Sequence, residues 1–110
     1  MGQLGEFEQV ILFSVLRLRD EAYGVAIRDV IKEQTGRTVS SGAIYTTLGR
    51  LEERGLITSN VGSPVPGRMG RPRKYYALSP SGAKALMDAY STTQKLADGL
   101  LSTLADLATG

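Results

Sequence analysis

Apolar residues recur at helical spacing through the first half of the chain. A stripe near the N-terminus recurs in alternating steps of three and one: Phe7, Val10, Ile11, Ser14, Val15 and Leu18. This spacing predicts a helix with one buried face, and Phe13 and Leu16 beside the stripe indicate apolar contacts on a second side. A second helix follows Tyr23-Gly24, and Gly36 is its expected end because glycine takes the left-handed conformation at little cost.

A third helix has the clearest start signal in the chain. Ser40 is the expected N-cap, since its hydroxyl can accept a hydrogen bond from a free N–H of the first turn. Ile44, Leu48 and Leu51 form the inward stripe at four- and three-residue steps. A step of about 100° per residue then turns a different set of residues outward. These are Gly42, Thr46, Gly49 and Glu53.

The pattern becomes extended after Gly55. Residues 56–60 and 74–78 are typical of short strands, and the segment between them holds three of the chain's four Pro. This pattern predicts a hairpin with a protruding tip. Ser79-Pro80 then opens a long helix that is expected to run to about Ala108, with Gly99 as its only point of low helix propensity.

The order of these elements predicts a winged helix-turn-helix. The expected fold is mainly α with a small β-hairpin, and the third helix would be the recognition helix. Residues 1–79 would form this winged domain, and residues 80–110 a long C-terminal dimerisation helix within the same compact unit. Winged helices also serve as protein-binding modules, so the pattern alone leaves both functions open.

Charge placement favours nucleic acid. The chain has a net charge of only +2, but residues 61–80 carry four basic and no acidic side chains. These are Arg68, Arg71, Arg73 and Lys74. Phosphate binding needs local positive charge of this kind, although a basic loop can also serve only to stay solvated.

Composition argues against an enzyme. The chain contains no Cys and no His, which removes thiolate and imidazole metal ligands and the usual acid–base group near neutrality. No recognisable nucleophile–base pair remains, so we expect no catalytic residues, no metal and no cofactor. The longest uncharged apolar run is Val10 to Phe13. Such a run predicts neither a membrane span nor a signal peptide, and we expect a cytoplasmic protein with no membrane partner.

The third helix supplies the candidate DNA contacts outside the hairpin. They are Ser40, Ser41, Gly42, Tyr45, Thr46 and Arg50. Ser40 and Ser41 lie where the free N–H groups of a helix start suit a phosphate. Arg50 could instead pair with Glu53 three residues on, as a surface ion pair of little worth. Because Glu53 would repel phosphate, docking should use the N-terminal half of the helix.

Four segments of the chain resemble the PadR family of bacterial transcriptional regulators. They are LGEFE at residues 4–8, AYG at 22–24, SGAIYTTLGRLEERGLI at 41–57 and GRPRKYYALSPSG at 70–82. The resemblance implies a dimeric repressor that binds an operator through Ser41, Gly42, Tyr45 and the basic wing. It also implies release by a small molecule, often a flat aromatic compound at the dimer interface. The family often has Pro and a basic residue where this chain has Thr46 and Gly49.

The last helix predicts self-association. Apolar residues follow one another at three- and four-residue steps, as in a weak heptad seam. The seam comprises Ala83, Leu86, Tyr90, Thr93, Ala97, Leu100, Leu104 and Leu107, flanked by Leu101. A helix of about 43 Å would outreach a body about 30 Å across, so its far end cannot bury these leucines within its own domain. The helix could alternatively bend back onto the first helix.

The expected interface of a two-fold dimer combines both spare apolar faces. It comprises Phe13, Leu86, Tyr90, Ala97, Leu100, Leu101, Leu104 and Leu107. Such a dimer would place two recognition helices about 34 Å apart on successive major grooves of a palindromic operator. The sequence therefore predicts a homodimeric, sequence-specific regulator of double-stranded DNA, with a small hydrophobic or aromatic effector. The alternatives are a winged-helix protein-interaction module that does not bind DNA and, more remotely, a small enzyme.

Overall fold

The computed structural model describes residues 3–64 and 72–110, which form helices around a single hairpin. The elements are α1 (Glu6–Leu18), a 3-10 turn (Arg19–Glu21), α2 (Gly24–Thr35), α3 (Ser41–Glu53), β1 (Ile57–Pro64), β2 (Pro72–Leu78), α4 (Pro80–Ala97) and α5 (Leu101–Thr109). The fold is mainly α with a small antiparallel hairpin, as the hydrophobic pattern predicts.

The turn between α2 and α3 begins and ends at the expected residues. Gly36 takes the left-handed conformation with φ +77°, and its N–H donates to the Lys32 carbonyl at 2.9 Å. The Ser40 hydroxyl accepts a hydrogen bond from the Ala43 N–H at 3.1 Å. Both helix ends are thus satisfied locally, and this fixes the orientation of α3 relative to α2.

One apolar core joins the helices to the hairpin. The inward stripe of α3, formed by Ile44, Leu48 and Leu51, is fully buried as predicted. Further core residues are Ile11, Leu12, Val15, Ala22, Ile27, Ile31, Leu56, Ile57, Tyr76 and Leu86. The Tyr76 N–H donates to the Ala22 carbonyl at 2.9 Å, so β2 is also tied to the chain just before α2.

The hairpin strands are longer than the side-chain pattern predicts. Pairing runs from Ile57 opposite Leu78 to Pro64 opposite Pro72, with an irregularity after Val61. Backbone pairing continues here into residues of low strand propensity, because an antiparallel ladder depends on main-chain groups. Tyr76 is buried in the core and its neighbour Tyr75 only partly buried, in keeping with the alternation of side chains along a strand.

The C-terminal helix is broken, and the prediction of one continuous helix is wrong. Helix α4 ends at Ala97, Gly99 has φ +76°, and α5 begins at Leu101. Glycine both weakens a helix interior and permits this left-handed turn, so the chain leaves the helix where its propensity is lowest. A heptad seam cannot run unbroken through residues 98–100.

No helix in the described part of the chain is long and apolar enough to cross a membrane.

The first half of α4 packs against its own domain. Leu86 is only 3% exposed and belongs to the core, so its assignment to the dimer interface is wrong. The Tyr90 ring meets the Phe13 ring of α1 edge-on, with centroids 6.1 Å apart. Helix α4 therefore does contact α1, as the alternative arrangement requires, but both of these rings stay partly exposed.

Candidate nucleic-acid interface

The outer face of α3 is almost bare of large side chains. Gly42, Thr46 and Gly49 are exposed as predicted, and a Cβ placed on Gly49 would meet no atom within 4 Å. Ser40, Ser41 and Arg50 are exposed on the same helix, and no ion pair joins Arg50 to Glu53 in this part of the structure. Another surface could therefore approach the α3 backbone closely.

Tyr45 is the large side chain on this face. It is 50% exposed, and its phenol lies against Gly24 at the start of α2. A Cβ at position 24 would overlap the Tyr45 ring, so a glycine is needed for the ring to rest there. The Tyr45 ring is thereby held in place by α2 while its other side remains open to a ligand.

Arg73 of β2 contacts Tyr23, the residue directly before Gly24. Its guanidinium carbon is 4.1 Å from the centroid of the Tyr23 ring, a cation–π contact. Tyr23 and Gly24 are consecutive residues. Gly24 contacts Tyr45 of α3, and Tyr23 contacts Arg73 of the hairpin. Helix α3 and the hairpin are thus brought together at the start of α2.

Lys74 is partly engaged within the molecule. Its Nζ lies 3.6 Å from Oε1 of Glu52 on α3, and the Ser59 hydroxyl donates to the other Glu52 oxygen at 2.5 Å. Glu52 therefore links α3 to both strands. Burial raises the pKa of the Tyr76 phenol, and the charge of Glu52 and the Tyr45 phenol add to this effect.

Two basic residues of α2 border the start of α3. An Arg28 guanidinium nitrogen donates to the Ser41 hydroxyl at 3.4 Å, and Lys32 Nζ donates to the Thr38 hydroxyl at 3.1 Å. Neither Arg28 nor Lys32 is among the DNA contacts predicted from the sequence. Their proximity to α3 depends on the turn between the helices, which periodicity within α2 does not contain. Arg68 and Arg71, also predicted to bind DNA, lie outside the described residues.

A second set of exposed side chains is apolar and comes mostly from the C-terminal helices. No residue of α5 is buried, and Leu101 and Leu107 are 70% and 74% exposed. We call the exposed large apolar residues of α1, α4 and α5 the C-terminal apolar surface. It comprises Phe13, Leu16, Met87, Tyr90, Leu96, Leu100, Leu101, Leu104 and Leu107. Ala97, also expected at the dimer interface, is half-buried at the end of α4.

The structure offers no centre for metal chemistry in residues 3–64 and 72–110, because no three acidic side chains cluster as ligands there. Eight of the described ionisable side chains form surface ion pairs: Arg37–Glu6, Arg54–Glu8, Lys74–Glu52 and Lys84–Asp88. In the Lys84 pair, the hydrogen bond to Asp88 raises the pKa of the amine, so the charged form is favoured.

Comparisons with known proteins agree with this geometry. The sequence profile of the transcriptional regulator PadR-like family matches residues 12–88. A search of curated proteins gives no match. Among solved structures, a PadR-like transcription factor from Bacteroides fragilis is 29% identical with a TM-score of 0.67, over 86% of this chain and 85% of that one. A PadR family regulator from Eggerthella lenta is 27% identical with a TM-score of 0.67, over 90% and 86%.

A third solved structure contains nucleic acid. It is Bacillus subtilis PadR in complex with operator DNA, 28% identical with a TM-score of 0.64 over 76% of this chain. The match spans 46% of that protein, which is therefore the longer of the two. The family consists of transcription regulators rather than enzymes. With a profile match across more than half of its length, the chain belongs to the PadR-like family of transcriptional regulators.

Proposed function

We propose that this regulator is a homodimeric repressor that binds a palindromic operator in double-stranded DNA. The observation that carries the proposal is that Tyr45 and Arg73 contact two consecutive residues, Gly24 and Tyr23. These two contacts bring a bare helix for the major groove close to a basic strand for the flanking phosphates. The operator complex of Bacillus subtilis PadR supports the same assignment by similarity.

The candidate contacts divide by chemistry. Tyr45, Thr46 and Arg50 present side chains to base edges or the groove, whereas Ser40, Ser41 and Gly42 offer the open start of α3 to a phosphate. Arg28 joins this second group through its contact with Ser41. The basic residues of the wing add phosphate contacts: Arg68, Arg71, Arg73 and Lys74. Lys74 already has an anionic partner in Glu52, so its contact with a phosphate would compete with that ion pair.

The C-terminal apolar surface supplies the dimer contact in this proposal. A monomer rarely leaves so many leucines exposed on one short helix, and a second copy of the same surface would bury them. A small hydrophobic or aromatic effector would meet Phe13 and Tyr90 at the edge of this surface. Binding there would change the spacing of the two recognition helices and so release the operator.

Selection of bound sequences from a random duplex library tests the proposed function. We expect a palindromic consensus whose half-sites are about one helical turn apart, because a two-fold dimer presents two copies of α3. The control is the same selection with the Arg73→Ala and Tyr45→Ala double variant. No enriched sequence for the native chain, with elution from heparin at low salt, would favour the protein-interaction module instead.

Tyr45→Ala is expected to weaken operator binding by about tenfold or more, because a good base contact discriminates by about 1–3 kcal/mol. The free energy of unfolding should fall by less than about 1 kcal/mol, since half of the ring is already in water. Fluorescence anisotropy with labelled operator and urea unfolding measure the two quantities. Tyr45→Phe is the control, because it keeps the ring on Gly24. If the free energy of unfolding fell as much as the free energy of operator binding, Tyr45 would be a packing residue rather than a DNA contact.

A further inference from the structure

Tyr23 stands at the N-cap of α2 but does not cap it. Its side chain makes no capping hydrogen bond, and its ring instead faces the hairpin. The Tyr75 ring of β2 meets it edge-on, with centroids 5.8 Å apart and planes at 78°. Gly62 on β1 leaves room for Tyr75, because a Cβ there would lie 2.7 Å from that ring. The Tyr23 ring is therefore fixed between the helix start and the wing.

The Arg73 guanidinium lies over this fixed ring. Its carbon is 4.1 Å from the Tyr23 centroid, and its Nε is buried without a hydrogen-bond partner. No hydrogen bond or ion pair involves its two terminal amino groups within the described residues. A guanidinium has five N–H donors, so most of the hydrogen-bonding capacity of Arg73 is available to an incoming anion.

We propose that Tyr23 is a positioning residue for DNA binding, which holds the Arg73 guanidinium ready for a backbone phosphate. This inference rests on the proposed function. A free arginine must give up many rotamers when it binds, whereas stacking on a rigid ring removes part of that entropy loss beforehand. Helix α2 begins directly after Tyr23, and its first turn holds no acidic residue. The positive end of the helix dipole therefore also favours an anion at this place.

A phosphate contact makes a specific prediction about sequence dependence. Backbone phosphates are present on every duplex, so loss of the Tyr23 ring should weaken binding to operator and to unrelated duplex by the same factor. From the usual strength of cation–π contacts, we expect Tyr23→Leu to weaken both by about three- to fivefold. Tyr23→Phe keeps the aromatic face and should bind within twofold of the native protein.

A double-mutant cycle tests whether Tyr23 acts through Arg73. Binding of Tyr23→Leu, Arg73→Ala and the double variant is measured by fluorescence anisotropy over a range of salt concentrations, well below each melting temperature. We expect Tyr23→Leu to have less than a twofold effect once Arg73 is Ala. Arg73→Ala should also lower the salt slope by about one unit, as expected for one phosphate contact.

Several outcomes would overturn the inference while leaving the proposed function intact. One is native DNA affinity in Tyr23→Leu, and another is an equal loss from Tyr23→Leu in the presence and absence of Arg73. A loss in Tyr23→Phe as large as in Tyr23→Leu would assign the effect to the hydroxyl. Failure of the native chain to bind any duplex would instead contradict the proposed function itself.

Discussion

Leu100→Asp combined with Leu104→Asp is expected to convert the proposed dimer to a monomer and to abolish tight operator binding. Both leucines are at least half exposed in the single chain, so charges there do not disturb its core. Burial of a leucine side chain contributes about 1.5–3 kcal/mol, and two-fold symmetry doubles each contact in a dimer. Sedimentation should report a monomer with native-like helical content by circular dichroism.

Loss of the dimer should lower operator affinity, because a dimer binds the two half-sites together. Linked binding exceeds the affinity of one module by about 10²–10⁴-fold, so we expect at least a hundredfold loss on the full operator. Binding to an isolated half-site should change little, because α3 and the hairpin are untouched. This difference separates a dimer defect from a folding defect.

Ser102→Asp combined with Thr109→Asp is the matched control for charge. Both substitutions also lie on α5, at positions one heptad apart that helical geometry turns away from Leu104. This variant should remain a dimer and bind the operator normally. Persistence of the dimer in the leucine variant, or its loss in the control, would mean that copies of this chain associate through another surface.

Features set by local interactions could be predicted from the sequence. Ser40 caps α3 and Gly36 ends α2 because each acts on backbone groups a few residues away. Burial of Ile44, Leu48 and Leu51 follows from the helical period, which also turns Gly42 and Gly49 outward. The bare face of α3 was therefore visible in the sequence.

Features set by tertiary contacts were missed. Leu86 fits a heptad seam, but spacing cannot distinguish the core of one domain from an interface between two. The roles of Tyr23 and Gly24 depend on side chains about 20 and 50 residues further along the chain, at Tyr45 and Arg73. The break at Gly99 was visible as a weak point in propensity, but propensity alone does not decide whether a helix ends there.

Gly82→Ala is expected to destabilise the fold, although alanine usually favours a helix. Gly82 is buried in the first turn of α4, where a Cβ would overlap the Leu56 carbonyl oxygen. Ser79 also ties the start of α4 to this segment. Its N–H donates to the Leu56 carbonyl at 3.1 Å, and its hydroxyl donates to the Gly55 carbonyl at 2.6 Å. Because backbone rather than a flexible side chain must move, we expect a loss of about 2–3 kcal/mol, near the upper end for overpacking.

Gly49→Ala is the matched control, since it makes the same substitution in a helix where the new methyl group meets open space. It should raise the free energy of unfolding by up to about 1 kcal/mol through helix propensity alone. Urea unfolding of both variants is measured at one protein concentration, because the proposed dimer would make apparent stability depend on concentration. If Gly82→Ala were as stable as Gly49→Ala, α4 could shift away from Leu56 at no cost. That result would contradict our view that the close contact between α4 and Leu56 fixes the C-terminal apolar surface relative to the hairpin.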